Sequence, residues 1–299
     1  MVKVCASIVV YQADRDVLSA LVAALLSQVD LVLIVDNDMK PEGLPCSQHH
    51  RVHYLPQRRN IGVSAAHNIA FSRAKREGCS HVVTFDQDSM VPQGFVDGLL
   101  SMERSLLDRG IMVGCVGPRF SDPRGGVGAP FIRLAGWKIE KIDCRNWHDR
   151  YVRADYLITS GCLISLSTIE LVGPFDEGFF IDYVDIEWGL RAVSRGFQNF
   201  GVCGVTMSHP IGDAPLVIPL IGKKVPLHSP LRHYYHFRNA VHLYKRPYAR
   251  TLWVLNDGIR LVIKFFVYSL FAPTPFRHFR MMSLGIWHGI IGVTGPFKG

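Results

Sequence analysis

The sequence predicts an α/β fold: an open, mostly parallel sheet flanked by helices, with an amphipathic helical extension at the C-terminal end. Three observations carry this expectation. Short apolar runs alternate with stretches of helical period between residues 4 and 85. Polar clusters close the runs, at Tyr11-Gln12-Ala13-Asp14, Asp36-Asn37-Asp38 and Asp86-Gln87-Asp88. The tail from residue 246 mixes apolar blocks with arginine, lysine and proline.

Taken in order, residues 4–11 form a strand, 16–26 an amphipathic helix, and 31–35 a second strand ending in Asp36. Residues 51–55 are a short third strand. Residues 59–68 then turn into a helix over 63–77; Gly62 supplies the flexible turn, Ser64 is the expected cap, and the small residues allow close approach of a ligand or another backbone. Backbone N–H groups at such a helix start favour an anion such as a diphosphate, although the P-loop pattern is absent. Residues 81–85 make a fourth strand, capped by the Asp86 cluster. Further on, residues 156–164 lead into or interrupt a strand around Gly161. Residues 173–182 form an aromatic loop, and a helix runs from about Asp185 to Arg195. Two regions are expected, a catalytic domain over residues 1–245 and a basic, apolar helical segment over 246–299.

Length and composition bound the function. A chain of 299 residues buries a sizeable core without covalent staples. Its seven cysteines are scattered and contain no C-x-x-C pair, which predicts reduced core thiols in a cytosolic compartment rather than a disulfide framework or zinc site. The N-terminus lacks a signal-peptide layout. The formal charge of +8 calls for an anionic partner, and the basic excess is greatest toward the C-terminus among apolar blocks. No nucleic-acid-binding signature accompanies it, so a membrane surface fits better than nucleic acid. Arg260 and Lys264 interrupt residues 252–272, and Pro273 and Pro275 end them, leaving no clean apolar run to span a bilayer. A basic amphipathic helix lying in the interface is expected, anchored by Trp253, Phe265, Phe266 and Tyr268; the alternative is a helix packed on the catalytic domain.

The acidic residues carry the chemistry. Carboxylates are costly to bury unpaired, so the acids ending the fourth strand, together with Asp182, Asp185 and Glu187 among aromatics, suggest a divalent cation and a proton acceptor. In an open parallel sheet, ligands lie beyond the carboxyl ends of the strands. A mononucleotide can use the first two polar tips for base and ribose, and a metal at the third can bridge its diphosphate. Ordinary turn chemistry is the competing account for each tip taken singly. His209 ends another apolar run at a loop edge. Arg232 and Arg238 stand in a segment rich in tyrosine and histidine, where planar guanidinium forks suit a diphosphate.

The ordered set Ile8-Val9-Val10-Tyr11, Val35-Asp36-Asn37, Asn60-Ile61-Gly62 with Ala66 and Asn68, Asp86-Gln87-Asp88, Gly161-Cys162 and Phe175-Asp176-Glu177 running into Asp185 resembles glycosyltransferase family 2. Within that family it is most similar to bacterial rhamnosyltransferases of O-antigen and related polysaccharide assembly, over roughly residues 3–245. The segment from Arg232 to Asn239 resembles a signature found after the catalytic domain in those enzymes. The resemblance implies a GT-A fold, a nucleotide-sugar donor, and Mg²⁺ or Mn²⁺.

On the same ground, Tyr11, Asp36, Asn60 and Gly62 would serve the donor, Asp86 the ribose or metal, and Asp88 the metal directly. Gly161 would floor the sugar pocket, His209 would complete the metal site, and Arg232 or Arg238 would clamp a donor or lipid diphosphate. Asp185 would be the general base, with Asp182 as runner-up. The family's usual Glu-Asp pair is here Val184-Asp185, so one supporting contact is missing.

The implied reaction is inverting transfer of a sugar, L-rhamnose from dTDP-rhamnose by resemblance, to a hydroxyl of a polyprenyl-diphosphate-linked saccharide at the inner face of the plasma membrane. Galactofuranosyl or other hexosyl transfer is the nearest alternative, and a non-catalytic, membrane-associated carbohydrate-binding protein a more distant one. A nucleotidyltransferase normally carries a glycine-rich basic loop after its first strand, where this chain has Tyr11-Gln12-Ala13-Asp14. A phosphatase with an acidic nucleophile would place its Asp-x-Asp after the first strand rather than the fourth.

Overall fold

The computed structural model describes residues 2–41, 43, 45–121, 130–135, 138–144, 150–208, 215–217 and 224–299. Two compact units divide the chain: residues 1–133, 140–177 and 184–210 form the first, and residues 134–139, 178–183 and 211–299 the second.

The first unit opens with β1 (Val4–Val10), α1 (Arg15–Leu26), β2 (Leu31–Asp36), β3 (Val52–Pro56), α2 (Val63–Arg76) and β4 (His81–Asp86). α3 (Phe95–Leu107), β5 (Val113–Ser121), β6 (Phe131–Ala135), β7 (Lys138–Ile142), β8 (Tyr151–Ala154), β9 (Leu163–Ser165), α4 (Leu166–Val172), α5 (Val184–Ser194) and β10 (Gln198–Ser208) follow. Eight strands build one sheet in the order β3-β2-β1-β4-β9-β5-β10-β8. β3, β2, β1 and β4 are parallel neighbours, as are β5 and β10, whereas β9 runs antiparallel between β4 and β5, and β8 runs antiparallel at the edge. Every residue of β1 and β2 is buried, which explains why both are apolar apart from Ser7 and the terminal Asp36 rather than alternating.

Helix starts are set locally. Asp14 caps α1 by accepting from the N–H groups of Asp16 and Val17. Ser64, the expected cap of α2, instead lies buried inside its first turn; the N-cap position is Gly62, whose φ of 85° L side chains rarely adopt. Buried groups are paired across elements: Ser7 on β1 meets His67 on α2 at 2.9 Å, and Arg191 binds Glu187 at 2.8 Å together with the carbonyls of Val172 and Pro174. Glu187, counted in the sequence among the acids around Asp185, is thus a structural partner of Arg191.

The thiol expectation is corrected at one pair. Cys144 and Cys203 form a disulfide across 59 residues, with Cα atoms 5.4 Å apart, while Cys5, Cys46, Cys79, Cys115 and Cys162 are free. The pairing depends on β10 passing the turn after β7, which cysteine spacing does not reveal.

The second unit contains β11 (Pro215–Val217), β12 (Lys224–Pro226), α6 (Pro230–Tyr244), α7 (Thr251–Phe271) and α8 (Pro275–Ile291). α8 lies tightly on α6 because Gly285 and Gly289 face it. An added Cβ would come within 2.4 Å of the Tyr234 carbonyl at Gly285, and within 2.8 Å of the Arg238 carbonyl at Gly289. Trp253 and Tyr268, expected to anchor in a membrane, are buried instead; Tyr268 donates to the Pro226 carbonyl at 2.6 Å and packs on His233. Phe266 is exposed, as are Leu255, Ile259, Val262 and Leu270 on the same helix. Among the described residues, no helix is long and apolar enough to cross a membrane.

Burial pushes His67 down to about 3, so the folded protein keeps it neutral while the unfolded chain protonates it near 6.5. The unfolded state therefore binds more protons between these values, and stability falls as pH drops from about 6.5 toward 3. The contribution of this one residue is about 1.4 kcal/mol per pH unit in that window. Urea titrations at pH 7 and pH 5 should show this loss, and His67→Gln should flatten it.

Candidate active site

The register of β2, β1 and β4 brings their carboxyl ends to one edge, since Val10 pairs with Asp36 and Val9 with Asp86. The loops beyond are tied to each other. The Tyr11 N–H donates to Gln87 Oε1 at 2.7 Å, the Gln12 N–H to the Asp38 carboxylate at 3.0 Å, and the Asn37 N–H to the Val10 carbonyl at 2.9 Å. The three polar tips found in the sequence therefore form one surface, with Tyr11 exposed at its rim.

Asp36 is buried but well supplied with donors. The Asp38 N–H reaches Oδ1 at 2.8 Å and the Tyr54 hydroxyl donates to Oδ2. Burial, and then that hydrogen bond to Asp36, push the Tyr54 phenol well up. Tyr54 was not singled out in the sequence; only the pairing of β3 beside β2 brings it to Asp36. Asn37 is buried beside it and donates through Nδ2 to the Gly62 carbonyl at 3.3 Å, while its Oδ1 has no hydrogen-bond partner among the described residues. Asn60 Oδ1 accepts from the Gly62 N–H at 3.0 Å, which shapes the turn before α2.

The loop after β4 is held from below. Ser160 Oγ accepts from the Asp86 N–H at 3.1 Å and meets Ser89 Oγ at 2.7 Å, and the backbone of Met90 bridges Ser208 at the end of β10. Asp86 and Asp88 are half-buried there. Among the described residues, no three His, Cys, Asp or Glu side chains gather into a metal cage. Two hard carboxylates on one loop nevertheless suit a divalent cation whose remaining ligands are phosphate oxygens and water. His209, the expected third ligand, lies outside the described residues.

Asp185 occupies the first turn of α5, where the helix dipole favours a carboxylate, and its Oδ1 accepts from the Ile186 N–H at 2.9 Å. It lines a small cavity with Thr84, Thr159, Cys162, Phe175 and Trp188, so it shares the floor that underlies Asp86. The Cys162 thiol is pushed well up, chiefly by its hydrogen bond with Cys115 and by burial, with the Asp185 charge adding. The aromatic loop is fastened by Asn68 on α2, which exchanges hydrogen bonds with the Phe175 backbone at 2.9 and 3.0 Å, and by the Trp188 indole donating to Gly173. Gly161 adopts φ 79° and its N–H donates to the Thr84 carbonyl at 2.6 Å.

The other expected residues belong to the second unit. Asp182 and Tyr183 both have left-handed backbones, with φ of 64° and 65°. Asn239 Nδ2 pins that turn through the carbonyls of Ile181 and Asp182, and the Tyr183 hydroxyl donates to Asp257 at 2.6 Å. Arg232 contacts Asp182 at 3.3 Å, so the oxygens of the runner-up base are already engaged. Arg238 is fully buried, donating to Asn239 and to the Gly295 and Gly178 carbonyls over the Tyr235 ring. That geometry gives Arg238 a structural task rather than the exposed fork expected of a diphosphate clamp.

This sheet, with its acids at one carboxyl edge, has the GT-A architecture. A solved structure titled as GalNAc-T7 with UDP, GalNAc and Mn²⁺ shares the fold at a TM-score of 0.58 and 13% identity. The likeness covers 87% of this chain and 51% of that one, so the chain spans about half of its length. Residues 5–119 match the family model described as Glycosyl transferase family 2. The dTDP-rhamnosyl transferase RfbF of Shigella flexneri is 29% identical over 299 residues, 97% of this chain and 96% of that protein. An uncharacterised protein of Mycobacterium bovis is 30% identical over 143 residues, 46% of this chain and 49% of that protein. The chain is a glycosyltransferase whose residues 5–119 are similar to family 2.

A Cβ at position 161 would meet Pro118 at 2.8 Å in addition to the left-handed backbone penalty. Gly161→Ala should therefore lower stability by about 2 kcal/mol or more, read from urea midpoints at unchanged m-value.

Proposed function

We propose that the protein transfers L-rhamnose from dTDP-rhamnose, with inversion and with a divalent metal, to a hydroxyl of a lipid-linked saccharide. The observation that carries this reading is the end-to-end likeness to a dTDP-rhamnosyl transferase, 97% of this chain against 96% of that one. The acids at the sheet's carboxyl edge are consistent with it.

In this reading Asp36, held by Tyr54, receives the nucleoside, and the unpartnered Asn37 Oδ1 accepts an N–H of the pyrimidine. Asp88 and Asp86 hold Mg²⁺ or Mn²⁺, which when bound neutralises charge on the departing diphosphate. Asp185 takes the proton of the acceptor hydroxyl as that oxygen bonds to C1 of the sugar. The bond from C1 to dTDP breaks on the opposite face, which inverts the anomeric centre, and Asp185 returns its proton to water. Asp182 is the weaker candidate because Arg232 engages its carboxylate.

The terminal helices support attachment to the cytoplasmic face of an anionic membrane, where a polyprenyl-linked acceptor resides. α7 exposes Ile259, Val262, Phe266 and Leu270, α8 exposes Phe276 and Trp287, and Arg260, Arg277 and Arg280 are exposed on the same two helices. Apolar side chains beside cations suit an interfacial helix.

Asp185→Asn should lower turnover of dTDP-rhamnose by about 10²–10⁴-fold while dTDP affinity holds, and Asp88→Ala should abolish the response to added metal. Release of dTDP, measured with a lipid-diphosphate saccharide acceptor, checks both; full turnover in Asp185→Asn would remove it as the base. Flotation with phosphatidylglycerol vesicles should fall sharply for Ile259→Glu combined with Phe266→Glu, and equal flotation would argue against the membrane face.

A further inference from the structure

A cleft of about 720 Å³ opens in the first unit between the exposed side of α3 and the strands β6 to β8, within the size range of small-molecule sites. Its charge is strongly one-sided. Arg109, Arg133, Arg150 and Arg153 line it together with Ser101 and Tyr151. Two of the guanidinium groups are oriented in advance: Arg109 donates to the Tyr151 hydroxyl at 2.6 Å, and Arg133 binds Glu140 at 2.6 Å. Arg150 and Arg153 make no ion pair or side-chain hydrogen bond to any described residue, and both are exposed.

The cleft is separate from the acidic edge. On the edge strand β8, Tyr151 pairs with Val202 and Arg153 with Phe200, early in β10, whereas Ser208 at the other end of β10 bridges Met90 beside Asp86 and Asp88. β10 bulges between Val202 and Thr206, so Val202 and Ser208 pair with Pro118 and Ser121 of β5, three residues apart and thus roughly 10 Å at about 3.3 Å per residue. The residues that line the cleft include none of the acidic edge.

Arginine forks match the paired oxygens of phosphate, and several around one cavity repel each other until a polyanion enters. Among the described residues, the one aromatic ring in the lining already lies beneath the Arg109 guanidinium, 5.6 Å from its centroid, and edge-on to Phe200, so it offers no free platform for a nucleobase. Recognition by these residues runs through phosphate. We propose that this cleft is a second ligand site, distinct from the donor site, for a small soluble molecule carrying a di- or triphosphate.

Calorimetric titration of the full chain with inorganic pyrophosphate in EDTA tests it, because the acidic edge has no metal to recruit phosphate under that condition. Saturable binding is expected, weakened at least tenfold in Arg150→Ala combined with Arg153→Ala and unchanged in Asp88→Ala, which alters the acidic edge only. Both side chains are exposed, so the variant keeps the fold. No saturable binding, equal binding by the double arginine variant, or loss of binding in Asp88→Ala would each overturn the proposal. So would binding of phosphatidylglycerol vesicles through these arginines without binding of pyrophosphate, which would make the cleft a lipid contact. The result is independent of which sugar the enzyme transfers.

Discussion

The parallel register of β2, β1 and β4 is the constraint on which the active edge depends. Pairing Val10 with Asp36 and Val9 with Asp86 puts two acids at neighbouring strand ends, where the sheet stops and the backbone must turn. A slip of one residue in either pairing would turn Asp36 or Asp86 to the opposite face of a sheet that is buried on both. The largely apolar interior of β1 and β2 prevents such a slip, because it would drag a carboxylate into the core. Core packing and site geometry thus come from the same interaction.

Around this edge, buried polar groups are given partners rather than excluded. Ser160 and Ser89 hold the backbone of Asp86, Asn68 holds Phe175, and Glu187 is joined to Arg191, which in turn binds the carbonyls flanking Gly173. In the second unit, Arg238 and Asn239 do the same for the carbonyls of Gly178, Ile181 and Asp182, and Asp257 collects two tyrosine hydroxyls. Loops with left-handed residues persist because these side chains replace the regular backbone ladder that the loops lack. Side chains most accessible to a ligand, such as Tyr11 and Asp88, are left at the surface of this scaffold.

The same side-chain types serve different ends according to burial. Arg238 and Arg232 sit in one short segment and looked equivalent as phosphate forks, yet Arg238 is saturated by carbonyls inside the unit while Arg232 is partly exposed against Asp182. Trp253 and Tyr268 share a helix with Phe266, but the helix turns the first two inward and the last outward. Residue type alone does not distinguish these cases, because the deciding quantity is which face each residue occupies on a packed helix.

The sequence by itself determined the strand-helix alternation, the polar tips at Tyr11, Asp36 and Asp86, and the placement of Asp185 near a helix start, because each depends on local periodicity or on a residue type that a strand interior excludes. It also marked the basic, interrupted character of the C-terminal helices. The tertiary structure decided what depends on contacts between distant segments. It inserted β9 antiparallel between β4 and β5, set Tyr54 on Asp36, joined Cys144 to Cys203, and gathered four arginines from α3, β6, β8 and the residue before β8 into one cleft. The physical reason is that pairing order and side-chain direction across a sheet follow from global packing, which leaves no periodic trace along the chain.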